Sequence, residues 1–343
     1  MSPSLSSPLR FEPILKHRAW GGRSLSTLGK TLPANGTFGE SWDLADLPTS
    51  IKDGRSHVAT GPFAGKSLHE LLDHSEHDVL GAIGRAATGG FPLLVKFLDA
   101  AENLSLQVHP TKAYCETHPG AFEKSESWFV IDAAPDAKIY RGVDHNVDAE
   151  TFRAAILNGS TLELMTAIPV KAGDCVRLPS GICHALGAGV LVAEIQTPSD
   201  TTFRVWDWNR NDPKRPLHID QALETMRFGA AQDTTGEGFA SLDEIPAITV
   251  DGIETRRICS MQEFTIDHIA LANTPLALES DNTPIVLLCL TGTGSVNSPD
   301  GSVPFTTGDV VLVPAVSAAT LVPHSEMTLL RTDLPVVPGV HLA

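Results

Sequence analysis

Gly173-Asp174-Cys175-Val176-Arg177-Leu178-Pro179 has a counterpart in Gly308-Asp309-Val310-Val311-Leu312-Val313-Pro314. Both stretches read G-D-x-x-x-x-P. In each, a Gly-Asp turn feeds a short apolar run that stops at a proline, which has no N–H to continue a ladder. A turn-and-strand unit present twice is the pattern of a double-sheet jelly-roll or cupin barrel. Gly-Asp turns also recur in unrelated chains, so the repeat alone leaves the fold open. Five residues after Pro179 comes His184, and five after Pro314 comes Ala319. If the units are copies, only the first kept an imidazole there.

Working outward, 28 glycines and 24 prolines punctuate short apolar runs, which is a β-rich pattern. Strand-like runs are Leu93–Leu98, Leu104–Val108, Ser127–Ile131, Leu162–Ile168, Cys175–Leu178 and Val190–Ile195. Helices are predicted over Lys66–Ala87, Asp148–Leu157 and His218–Phe228 from apolar spacing, caps and closing glycines. After Gly229 only strands are predicted. The fold class expected is mainly β with inserted helices, arranged as two cupin-type (jelly-roll) β-barrels, the first metal-binding and the second degenerate.

The 343 residues allow about two domains. Charge divides them. Residues 1–228 carry 22 basic and 27 acidic side chains, whereas residues 229–343 carry 3 and 14. The expected domains are therefore 1–228, with the chemistry and helical insertions, and 229–343, an acidic unit of strands. A net charge of −16 argues against nucleic acid or an anionic membrane as partner. No apolar run reaches the length of a membrane span, and the start lacks a secretory pattern. Five cysteines, an odd number with no C-x-x-C pair, predict free thiols and a cytoplasmic protein.

Side chains at i and i+2 of a strand share a face. Ser105, Gln107 and His109 therefore point together, as do Lys124, Glu126 and Trp128. A solvent-facing polar edge would give the same alternation. His184 follows a Pro-Ser-Gly turn. Gln107, His109, Glu126 and His184 together offer two imidazoles, a carboxylate and an amide oxygen. That set suits Zn²⁺ best, with Fe²⁺, Co²⁺ or Mn²⁺ as lesser options. Residues 201–217 hold four basic and two acidic side chains, among them Arg204, Arg210, Lys214 and Arg215. Arg204 can offer a planar fork to a phosphate or carboxylate, or can simply pack on tryptophan. No phosphate-binding glycine loop is present, so nucleotide binding is unsupported.

Taken in order, several segments resemble the type I mannose-6-phosphate isomerases. They are Trp20-Gly-Gly22, Gly39-Glu-Ser-Trp42, Leu93-Leu-Val-Lys-Phe-Leu98, Asn103-Leu-Ser-Leu-Gln-Val-His-Pro110 and Lys124-x-Glu126-x-Trp128. Pro179-Ser-Gly-Ile-Cys-His184 and the run from Glu194 through Arg204 to Trp208 complete the set. The resemblance implies one Zn²⁺ per chain held by Gln107, His109, Glu126 and His184. It implies Arg204 as active-site arginine, Lys124 as a proton-transfer residue, and Lys112, Ser105 and Glu194 on the substrate side. Phe203 and Trp206 stand where relatives more often carry tyrosine. The reaction implied is interconversion of mannose 6-phosphate and fructose 6-phosphate through an enediol(ate), on a small-molecule sugar phosphate, the oligomeric state staying open. Lys124, its pKa lowered by burial and metal, is the expected base, with Glu194 in reserve. Competing readings are an isomerase of another sugar phosphate, a metal-cupin dioxygenase, and a non-catalytic sugar-binding cupin.

Overall fold

Strand Ile285–Thr291 shows how the molecule is layered. Ile285, Leu287 and Cys289 point into one apolar core, whereas Val286, Leu288 and Leu290 point into another. A strand buried on both faces needs a continuous apolar sequence, and this one has it. Strand Val190–Gln196 does the same: Val190 and Val192 face one core, and Leu191, Ala193 and Ile195 face the core shared with Val286 and Leu288. Two barrels thus pack through the outer faces of their large sheets. The computed structural model describes residues 5–210, 215–229 and 238–336. Lys214 lies outside them.

The barrels are copies in topology. The first large sheet runs Phe239–Ser241, Asp174–Leu178, Glu126–Ala133, Val190–Gln196, Leu94–Ala100, Ile14–Gly22 and Phe38–Leu44. The second runs Leu9–Arg10, Val310–Val313, Ile285–Thr291, Met327–Asp333, Thr265–Leu271, Ile253–Ser260 and Ile248–Val250. The smaller sheets run Phe203–Trp206, Leu106–Val108, His184–Leu186, Lys138–Val143 and Met165–Pro169 in the first barrel. In the second they run Leu276–Leu278, Ala319–Pro323, Thr293–Ser298 and Gly301–Thr306. Sheet membership crosses residue 229 both ways: Leu9–Arg10 pairs with Val311–Leu312, and Phe239–Ser241 pairs with Asp174–Val176.

The two Gly-Asp turns are built alike. Gly173 and Gly308 have φ of 91° and 84°, which glycine adopts without strain. Asp174 accepts from the Lys171 N–H at 2.8 Å and Asp309 from the Thr306 N–H at 2.9 Å. The registers then align the barrels residue by residue. Leu178 faces Glu126, and Val313 faces Ile285. His184 faces Gln107, and Ala319 faces Leu278. Where the first barrel has Gln107, Glu126 and His184, the second has Leu278, Ile285 and Ala319, all in one apolar cluster. No ligand chemistry survives at those positions of the second barrel.

Two helices are shorter than predicted. Helix Leu68–Leu80 starts at a capping box, in which the Ser67 side chain accepts from Glu70 N–H and the Glu70 side chain returns to the Ser67 N–H. It stops at Gly81, with φ of 60°, because the chain there docks on the second barrel: the Ala82 N–H donates to the Asn282 carbonyl at 2.7 Å. Helix Ile219–Thr225 ends before Phe228 because Arg227 N–H turns back to the Gly181 carbonyl. Helix Ala149–Asn158 begins at Asp148, as the sequence suggests, and closes at Gly159. All five cysteines are free thiols. No helix among the described residues is long and apolar enough to cross a membrane.

The buried Lys30 clamps the barrels together. It pairs with Asp43 of the first barrel and donates to the Gly308 carbonyl of the second at 2.7 Å. Asp43→Ala would strand that ammonium, so urea unfolding is expected to show a loss of about 3–5 kcal/mol. An unchanged midpoint would show that the clamp carries no load.

Candidate metal centre and its cavity

Three ligand-bearing segments converge at one end of the first barrel. His184 opens its strand directly opposite Gln107. His109 lies just beyond strand Leu106–Val108, two residues from Gln107 and on its face. Glu126 opens the strand that pairs with Leu178 and Gln196. The ligand atoms of His109, Glu126 and His184 lie within 4.8 Å of one another, and all three residues are buried. The face-sharing expected of the Q-x-H and K-x-E segments is what brings them together.

The hydrogen bonding of the two imidazoles shows what the cluster is for. His109 Nδ1 faces the Thr201 carbonyl at 3.2 Å and His184 Nδ1 faces the Ile182 carbonyl at 2.8 Å. A carbonyl only accepts, so each Nδ1 carries the hydrogen and each Nε2 presents a lone pair. Those lone pairs point at Glu126: His109 Nε2 is 3.3 Å from Oε2, and His184 Nε2 is 3.2 Å from Oε1. Burial, with Lys124 beside it, pushes the His109 pKa down to about 3, so the ring is neutral. His109 Nε2 and Glu126 Oε1 are buried without a hydrogen-bond partner, and Glu126 Oε2 is met by the Lys124 ammonium at 2.8 Å. Lone pairs facing lone pairs in a dry site are costly unless a cation sits among them. Gln107 completes the group, its amide nitrogen 3.4 Å from His184 Nε2. The same amide turned end for end would offer its oxygen to that point. The donor set fits a divalent metal.

Beside this centre opens a cavity of about 530 Å³. Gln107, Lys124, Ser105, Glu194 and Arg204 line it. Lys112 does not. It is the exposed first residue of helix Lys112–Thr117 and is not among the described lining residues. The Thr111 side chain caps that helix by accepting from Tyr114 N–H.

Buried Lys124 lies 2.8 Å from Glu126 Oε2. Burial works to lower its pKa, but the charges of Glu126 and Glu194 outweigh burial and raise it. The expected downward shift is therefore reversed in the chain as it stands. Burial likewise opposes the charge of Glu126, and Lys124 and His109 hold its carboxyl well below the usual range. Arg204 donates from Nε to the Ser105 hydroxyl at 3.3 Å and from Nη1 to the Pro216 carbonyl at 3.0 Å.

Sequence reasoning missed several lining residues, among them Arg18, Trp20, Glu40 and Lys96. Arg18 and Trp20 sit in a bulge: His17 and Gly22 both align with Phe38, so the residues between them loop out toward the cavity. Gly39 makes room for it, since a Cβ there would lie 2.5 Å from the Trp20 ring. Lys96 did carry a signal, as the charged residue inside the apolar run Leu93–Leu98.

Comparison with known proteins decides the family. The family described as phosphomannose isomerase type I, catalytic domain, matches residues 9–148, which include Gln107, His109 and Glu126. The mannose-6-phosphate isomerase ManA of Bacillus subtilis is 33% identical over 314 residues, spanning 90% of this chain and 93% of the relative. The chain belongs to the type I phosphomannose isomerases. A mannose-6-phosphate isomerase of Streptococcus mutans is 37% identical over 267 residues, covering 76% of this chain and 78% of that protein. The crystal structure of the Bacillus subtilis mannose 6-phosphate isomerase has a TM-score of 0.83 at 28% identity, covering 95% of this chain and 99% of that one. This mainly β, twin-barrel architecture is thus the fold of the family.

Metal analysis of the purified chain is expected to return one divalent ion per chain, and His184→Ala to return well under half of that with an unchanged circular dichroism spectrum. Equal metal in both proteins would reject the cluster as the site.

Proposed function

We propose that this chain is a zinc-dependent aldose–ketose isomerase that interconverts mannose 6-phosphate and fructose 6-phosphate by moving a proton between C1 and C2. One observation carries the reading: the buried lone-pair cluster of His109, Glu126 and His184 borders a cavity lined by Lys124, Glu194 and Arg204. Gln107, His109, Glu126 and His184 would hold the zinc ion. When bound, zinc supplies Lewis-acid polarisation of the sugar's carbonyl and hydroxyl oxygens.

The remaining work falls to side chains of the cavity wall. Arg204 has a planar cationic fork suited to the phosphate, and Ser105 braces it. Glu194 is the residue we assign to take the C2 proton. The C2–H electron pair becomes the C1–C2 π bond, and the former carbonyl pair moves to O1. O1 then gains a proton as O2 loses one, and Glu194 returns its proton to C1. Sequence alone points to Lys124 as the base. Its charge is reinforced by Glu126 and Glu194, so its better use is as an ammonium donating to the oxygen on which charge builds. The cytoplasm is the compartment proposed, on the strength of five free thiols.

Glu194→Gln is expected to lower kcat on mannose 6-phosphate by about 10³-fold, the scale of losing a general base. Exchange of the C2 hydrogen with deuterated solvent should vanish with it. Retention of exchange in Glu194→Gln, together with its loss in Lys124→Met, would return the base role to Lys124.

A further inference from the structure

Four side chains stand in one cross-strand row of the first large sheet, and two of them, Lys96 and Glu194, line the cavity. Trp42 faces Lys96, Lys96 faces Glu194, and Glu194 faces Trp128. The row is buried throughout. Neighbours in such a row are held at fixed separation by the ladder itself, so their geometry does not depend on a loop.

Within the row, the two oxygens of Glu194 are treated differently. Oε2 accepts the Trp128 indole N–H at 2.8 Å. Oε1 has no hydrogen-bonded partner, and the Lys96 ammonium stands 3.1 Å away. A carboxylate that must take a proton from carbon needs a fixed direction. The Lys96 ammonium fixes Oε1 and supplies the charge that makes a buried carboxylate tolerable there.

Lys96 is itself held for this task. Its Nζ stands 5.0 Å from the centre of the Trp42 ring, a cation–π contact that walls it from water. The other carboxylate near it, Glu40, has partners of its own: Arg18 Nε at 2.6 Å and the Trp42 N–H at 2.5 Å. Lys124 also acts on Glu194 by charge but is paired at contact distance with Glu126. Lys96 is thus the one of the two lysines placed against Glu194.

We propose that Lys96 is a positioning residue for the isomerisation: clamped on Trp42, it fixes the Glu194 carboxylate at the cavity wall through Oε1 while Trp128 holds Oε2. The proposal rests on Glu194 being the base, and the experiment separates the two ideas.

The variants are Lys96→Met, Lys96→Arg, Glu194→Gln and the double variant Lys96→Met/Glu194→Gln, each loaded with one metal ion per chain. Kinetics on mannose 6-phosphate and its C2-deuterated form are compared. Lys96→Met is expected to lose about 100-fold in kcat, the cost of a misplaced reacting group. KM should stay within about threefold, with a larger isotope effect on kcat than wild type. Lys96→Arg should recover most of the loss. The double variant should be no slower than Glu194→Gln, because two residues acting as one unit do not add. It also leaves no unpaired buried charge, so its thermal unfolding controls for folding. An active Glu194→Gln would remove the base assignment on which the proposal stands. An inactive Glu194→Gln overturns the Lys96 role alone in three cases: Lys96→Met turns over normally, it loses only KM, or the double variant multiplies the two losses.

Discussion

Two imidazole nitrogens and one carboxylate face one another beside the Lys124 ammonium, where water does not reach. His109 and His184 cannot relieve this by turning their hydrogens inward, because each Nδ1 is committed to a backbone carbonyl. Protonating His109 is opposed by burial. A divalent cation held by His109, Glu126 and His184 would remove the conflict. The rest of the first barrel can be understood as the frame that holds this arrangement. Strand pairing sets His184 against Gln107, and a turn held by Ser180 and Gly181 delivers His184 to its place.

The second barrel shows what the frame becomes without that demand. Leu278, Ile285 and Ala319 occupy the corresponding positions and simply pack. Its contribution to the site is mechanical. Phe264, Val286, Leu288 and Leu330 share a core with Val95, Phe97 and Ile195 of the first large sheet. That sheet carries Lys96, Glu126 and Glu194 on its opposite face. Glu263 of the second barrel also accepts from the Ser125 hydroxyl at 2.8 Å, one residue from Glu126. The excess acidic charge of the tail thus belongs to a supporting unit, while the cavity keeps Lys124 and Arg204. A chain of net charge −16 can in this way present a local cationic pocket to a small phosphate.

Much of the site was legible because its residues follow the strand period. Gln107 with His109, and Lys124 with Glu126, are separated by two, and that spacing alone sets them on common faces. The G-D-x-x-x-x-P repeat was legible because a glycine at positive φ and an aspartate bonding back three residues are local devices. What escaped was long-range. Nothing near Lys96 announces that Glu194 will lie opposite it, since register between strands 98 residues apart is a property of the closed sheet. Arg18 and Trp20 reach the cavity through a bulge that depends on Gly39 across the sheet. Lys112 stands exposed as the first residue of a short helix that Thr111 caps.

The most direct test of the account is to strip the chain of metal and restore zinc in measured fractions, following conversion of mannose 6-phosphate to fructose 6-phosphate at each step. Turnover is expected to rise in proportion to bound zinc and to level off at one ion per chain. Full turnover in the stripped chain, or a metal-replete chain that leaves mannose 6-phosphate unchanged, would contradict it.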